Sequence, residues 1–214
     1  ELAAKIKEET LRILFDLSIS SSATGATSEH MIMKIVASNA DGTREEVLGR
    51  EGWEVVTLQK GESDVLYRYD RSLQRRVGRL IAPMQPTFDG NLGCYRARVT
   101  KNFPEKYAEW LESLPAEFEI RADKDLATLE ADPIEAQVSF EVVDEEIDWF
   151  DLKVVVKVDG MDLTQEEIRA LVQARGQFVR MERGGWLRLK MNLSEEQQIA
   201  VSKIGLDPFD LTGE

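Results

Sequence analysis

Leu11, Ile13, Phe15, Leu17 and Ile19 occupy every second position of one stretch. Successive side chains of a strand point to opposite faces, so this spacing buries one face of a strand and cannot bury one face of a helix. A half-buried strand over residues 10–20 needs partners on both edges and a cover for its apolar face. The first part of the chain supplies them. Residues 31–37, 52–59, 65–69 and 90–100 also read as strands, with Asp41-Gly42 as a turn and Ser20-Ser21-Ser22-Ala23-Thr24-Gly25 as a small polar loop. The expectation is an antiparallel meander. Residues 1–9 read as the tail of a helix. A short helix over residues 103–114 is opened by Asn102 and Pro104, carries Trp110 and Leu111, and is stopped by Pro115.

Ala131-Asp132-Pro133 marks the expected domain boundary, giving a β-rich domain with one or two short helices over 1–132 and a small α+β domain over 133–214. The second part reads as strand (134–143), acidic turn (144–148), strand (149–158) and an Asp159-Gly160 turn. Thr164-Gln165-Glu166-Glu167 is a capping box, in which the Thr hydroxyl and the Glu carboxylate each satisfy the other residue's backbone amide. It opens a helix with Ile168, Leu171 and Val172 inward, ended by Gly176. Residues 178–182 and 186–189 flank Arg183-Gly184-Gly185 as a hairpin, and Ser194 caps a last helix closed by Gly205. The fold class expected is α+β: an antiparallel β-rich first part, then strand, helix, hairpin and helix.

Length and charge bound the function. The chain has 214 residues, 43 % of them hydrophobic and 31 % charged, which is enough apolar material for a real core. Its net charge is −13, with 27 Lys and Arg against 40 Asp and Glu, which argues against a dedicated sequence-independent DNA binder. The acidity is concentrated: residues 103–170 carry net −14, while 1–102 carry +1 and 171–214 are neutral. That stretch reads as a solvated face, or as one that repels nucleic acid or docks a basic partner. No apolar run approaches the ~20 residues needed to span a bilayer, so no membrane partner is expected. The lone Cys94 excludes an intramolecular disulfide and any multi-Cys metal site, and fits a reducing compartment, the cytoplasm. The chain opens on Glu1 and stops at Glu214 with neither a signal-like segment nor a tail, and reads as a piece of a longer polypeptide.

Catalytic signatures are sparse. No Gly is followed by Lys, so there is no Walker A loop, and no Gly-x-Ser-x-Gly elbow occurs. His30 is the sole histidine and reads as a surface or loop residue. The apolar run from Val138 into Asp144-Glu145-Glu146 looks like a Walker B strand, but without a phosphate loop it has no nucleotide to serve and reads as an acidic turn. No catalytic residue, cofactor site or metal site is assigned. On a helical wheel, Arg71, Arg75 and Arg79 fall within roughly 80° of one another, with Leu73, Val77, Leu80 and Ile81 about opposite and Asp70 placed to cap. This is either a face that contacts phosphate or a motor domain, or an amphipathic surface helix whose Arg stems cover apolar surface.

Asp148-Trp149-Phe150-Asp151-Leu152-Lys153, Val158-Asp159-Gly160, Leu163-Thr164-Gln165-Glu166-Glu167-Ile168, Gly176-Gln177-Phe178-Val179-Arg180 and Gly185-Trp186-Leu187-Arg188-Leu189 follow one another in that order. This order resembles the helicase-associated accessory region that precedes the motor in bacterial SWI/SNF-type helicases. Leu193-Ser194-Glu195-Glu196, Gly205-Leu206-Asp207-Pro208 and Leu211-Thr212-Gly213 resemble the segment leading toward that motor, so the likeness covers residues 135–214. It implies a place beside an ATP-driven DNA translocase, with the motor of the same polypeptide as partner and DNA reached through the parent protein. It implies no chemistry in this chain, because the ATPase elements of that family lie in the motor. Trp149, Phe150, Phe178 and Trp186 are expected as core or interface aromatics. The alternative reading is a free-standing enzyme that uses carboxylates of the acidic stretch for acid/base or metal-assisted hydrolysis. The missing phosphate loop favours the accessory module.

Overall fold

The computed structural model describes residues 5–21, 29–58, 65–146, 149–158 and 163–192. They form two compact units, Glu1–Ala127 and Thr128–Glu214.

The first unit runs β1 (Lys5–Thr10), β2 (Arg12–Ser21), β3 (Glu29–Ser38), β4 (Arg44–Leu48), β5 (Trp53–Leu58), β6 (Val65–Asp70), α1 (Ser72–Ile81), β7 (Thr87–Asp89), β8 (Cys94–Arg98), α2 (Phe103–Ser113), β9 (Phe118–Ala122) and α3 (Lys124–Ala127). β5, β4, β3 and β2 form the antiparallel meander, and β9 adds to β2 in parallel. β3 shares its other edge between two strands: His30–Met33 pair with β8, and Val36–Ser38 with β4. β7 closes onto β8, completing seven strands. The period-two stretch behaves as its spacing demands. Ile13, Phe15 and Leu17 are buried beside Met31, Met33, Ile35 and Ala37 of β3. α1 and α2 cover this face with Val77, Ile81, Phe103, Tyr107 and Trp110, and Phe15 meets the edges of Trp110 and Phe118.

Two expectations fail here. Residues 5–10 are not a helix but strand β1, paired in parallel with β6 from Lys5–Val65 to Thr10–Asp70. Lys and Glu are good helix formers, yet a partner some sixty positions downstream overrides local preference. For the same reason β6 leaves the meander to which it was assigned. The strand expected over residues 90–100 is β8, shortened to Cys94–Arg98, because Asp89 accepts the amides of Asn91 and Leu92 and turns the chain between β7 and β8. Strands β4 and β9 had no reading in the sequence. The β1–β6 ribbon is tied to the sheet through buried Asn39. Its amide donates to Glu9 and Thr43, and its oxygen accepts the Arg44 backbone N–H at 2.8 Å.

The second unit begins with a 3-10 turn over Thr128–Glu130 and continues with β10 (Ile134–Glu146), β11 (Trp149–Val158), α4 (Gln165–Gln173), β12 (Val179–Arg180), β13 (Trp186–Leu187) and β14 (Leu189–Asn192). β10 pairs with β11 antiparallel and with β14 in parallel, while β12 and β13 form the hairpin. Asp144, Glu145 and Glu146, expected in a turn, instead prolong β10 against Asp151, Phe150 and Trp149. The Asp159-Gly160 turn and the helix expected from Ser194 lie outside the described residues. The capping box forms in both directions: Glu167 N donates to Thr164 Oγ1 at 3.2 Å, and Thr164 N to Glu167 Oε2 at 2.8 Å. It aims Leu171 and Val172 into a small core with Ala136, Met181 and Leu189. The division between units falls at Ala127–Thr128, a few residues before the boundary read from Asp132-Pro133. No helix among the described residues is long and apolar enough to cross a membrane.

Candidate functional site

Period two places Arg44 and Glu46 of β4 on the face that α1 covers. Glu46 lies beside Ala37 of the core and is fully buried. An unpaired carboxylate would be untenable there, and this one is saturated. Its Oε1 accepts from Arg44 Nε at 2.7 Å and Arg71 Nη2 at 2.8 Å. Its Oε2 accepts from Arg71 Nη1 and Gln74 Nε2, both at 2.8 Å. Arg71 Nη1 also donates to Gln74 Oε1 at 3.1 Å, and the Arg44 guanidinium stacks on the Tyr69 ring at 4.6 Å. Burial pushes the Glu46 carboxyl up, and the bonds from Arg71, Gln74 and Arg44 outweigh it, so the group titrates below its ordinary value.

The hub decides what the arginine face of α1 can offer. Arg71 is spent on Glu46. Asp70, expected to cap α1, lies one position before the N-cap Arg71; it accepts the Ser72 amide at 2.9 Å in a local turn, and the helix has no side-chain cap. Arg76 pairs with Glu117 at 2.9 Å and lies over the Phe118 ring. Arg75 and Arg79 point outward, exposed and without an ion pair among the described residues. Of the three arginines read as one face, the structure therefore separates one from the other two.

Asp16, Asp89 and Glu117 are each held below the usual carboxylate range by a bonded guanidinium, that of Arg121, Arg96 and Arg76 respectively. A carboxyl depressed by folding stabilises the folded state above its unfolded pKa, and that stabilisation is lost as the pH falls through the folded value. With Glu46 in the same class, the melting temperature is expected to be flat from pH 7 to about 5 and to fall steadily below it. Thermal unfolding followed by circular dichroism across this range checks the sign. A melting temperature unchanged down to pH 3 would mean that these pairs do not couple to folding.

His30 sits on β3 rather than in a loop. Its Nδ1 lies 3.1 Å from Arg96 Nη2, which can only donate, so the ring proton belongs on Nε2. Arg96 in turn meets Asp89 at 2.6 Å. Cys94 is buried, and burial together with the nearby Asp89 pushes its thiol up, away from nucleophilic character. No group of three His, Cys, Asp or Glu side chains among the described residues is placed to hold a metal ion.

In the second unit Trp186 is 3 % exposed. Its backbone N–H donates to Thr128 Oγ1 at 2.7 Å, and the Arg180 guanidinium lies 4.3 Å from its ring centroid. Phe178 is half-buried under the guanidinium of Arg188. The side chains of Trp149 and Phe150 lie outside the described residues. A cavity of about 190 Å³ opens beside Trp186, lined by Thr128, Leu163, Glu167, Met181, Arg183 and Leu187 among others. It falls short of the roughly 300–1,000 Å³ typical of ligand pockets. Its polar walls already serve the fold, since Thr128 holds the Trp186 amide and Glu167 caps α4. No family model, curated protein or solved structure matches the chain.

Proposed function

We propose that this chain is a non-catalytic accessory module of an ATP-dependent DNA translocase of the SWI/SNF type, and that it positions or regulates the motor of the same polypeptide. The observation that carries the reading is how residues of the resembling segments are employed. Thr164 and Glu167 cap a helix, Leu189 joins Leu171 and Val172 in a core, and Gly185 and Trp186 build a hairpin. They specify a scaffold, and a scaffold fits a role beside a motor. DNA is engaged chiefly by the motor, because a chain of net charge −13 meets the phosphate backbone unfavourably at distances up to the Debye length of about 8 Å in physiological salt.

The purified chain is expected neither to bind nor to hydrolyse ATP, since the phosphate loop that supplies most triphosphate contacts is missing from the sequence. Joined to its motor, it is expected to change the DNA-stimulated ATPase rate relative to the motor alone. Turnover by the isolated chain that survives a control for contaminating ATPases would reject the accessory role. So would a motor indifferent to its presence.

A further inference from the structure

α1 and α2 lie side by side on one face of the seven-stranded sheet. The Trp110 indole N–H donates to the Leu80 carbonyl at 2.7 Å, and Arg76 reaches Glu117 just beyond α2. Each helix turns a buried stripe to the sheet: Gln74, Val77 and Ile81 on α1, and Phe103, Tyr107 and Trp110 on α2. At 100° per residue the opposite faces are set. They carry Arg75 and Arg79 on α1, and Glu105, Glu109 and Glu112 on α2, all exposed. None of these five charged residues has an ion pair among the described residues. A basic ridge and an acidic ridge therefore run on neighbouring helices of one layer.

We propose that these two helices form a two-fold interface with a second copy of this chain, α1 of each copy lying against α2 of the other. An isologous contact needs a surface complementary to itself, and adjacent ridges of opposite sign supply that. Arg75 and Arg79 meet Glu109 and Glu112 of the second copy, twice. A phosphate backbone seated on Arg75 and Arg79 would run beside three carboxylates, and a uniformly acidic partner would meet the same repulsion. The unit Glu1–Ala127 carries 18 basic and 21 acidic residues, a net charge of −3, so it opposes pairing only weakly. The inference stands apart from the accessory role and does not depend on it.

Exposed ion pairs are individually weak, so the association is salt-sensitive. Sedimentation of the whole chain at sub-millimolar concentration is expected to give twice the 24.3 kDa monomer mass at about 0.1 M salt, and monomer at about 1 M, where the Debye length falls to about 3 Å. Arg75→Glu with Arg79→Glu makes both ridges acidic and yields monomer. Glu109→Arg with Glu112→Arg makes both basic and also yields monomer. An equimolar mixture of the two variants restores both contacts and yields a dimer. Circular dichroism verifies that each variant is folded, and the neutral changes to Gln at the same positions replace any that is not. A wild-type monomer at about 0.1 M salt, a dimer that survives either reversal, or a mixture that stays monomeric overturns the proposal. Binding of duplex DNA that is lost with the Arg75 and Arg79 changes, in a chain that stays monomeric, would assign the ridge to phosphate instead.

Discussion

Glu46→Ala is expected to destabilise the unit Glu1–Ala127 by about 3–5 kcal/mol, the usual loss when one member of a buried ion pair is removed. The carboxylate is fully buried and accepts four hydrogen bonds from three side chains. Its removal leaves the Arg44 and Arg71 cations without their counter-charge. Arg71 is partly exposed and can reach water, whereas Arg44 is more enclosed, so most of the penalty falls on Arg44. Glu46→Gln keeps the shape and two of the acceptor lone pairs, but opposes its amide N–H to guanidinium donors; it is expected to lie between wild type and alanine. Urea unfolding measures both. A loss below about 1 kcal/mol for the alanine variant would show that the hub contributes no more than an exposed pair does.

That hub was invisible in the sequence. Arg44-Glu45-Glu46 are three charged residues in a row, and the strand character of residues 44–48 comes from pairing with β3 and β5 rather than from its own residues. Nothing local says that Glu46 rather than Glu45 turns inward. The sign is set by register: Ala37 of the core stands opposite Glu46, and Arg71 arrives from 25 positions away. The helical wheel grouped Arg71 with Arg75 and Arg79, but Arg71 is the N-cap of α1 and not one of its helical residues, and a wheel does not show which side chain turns to a partner. β1 failed for the opposite reason, because its Lys and Glu carry a real helical preference that a distant strand overrules.

Features that depend on near neighbours were legible. The alternation from Leu11 to Ile19 fixed both the strand and its buried face. Pro104 in the first turn of α2, and Thr164 with Glu167 at the start of α4, placed two helices close to their observed starts. The Arg183-Gly184-Gly185 turn gave the hairpin, since Gly184 and Gly185 take φ of 93° and 77°, a region that side chains disfavour. Parallel pairings, β2 with β9 and β10 with β14, were not legible, because they join segments distant in sequence and leave no turn to read.

Trp186→Ala is expected to cost the unit Thr128–Glu214 about 3–5 kcal/mol, the range for deleting a large buried aromatic. The indole is nearly inaccessible, and its backbone is pinned as well as its ring. Thr128 Oγ1 takes the Trp186 amide, and the same threonine is so close that a Cβ on Gly185 would meet its Cγ2 at 2.8 Å. The ring thus packs at a point where the hairpin backbone and the 3-10 turn already touch, and the site has little freedom to collapse around a void. Thr128→Val separates the two contributions. It keeps the bulk beside Gly185 and removes the acceptor, leaving the Trp186 N–H unpaired at a cost of about 1–3 kcal/mol, while Thr128→Ser keeps the acceptor and costs less. Hydrogen exchange of the α4 amides reports this unit in each variant. If Trp186→Ala leaves their protection unchanged, the indole is a surface for the rest of a larger assembly and not part of the core of the unit.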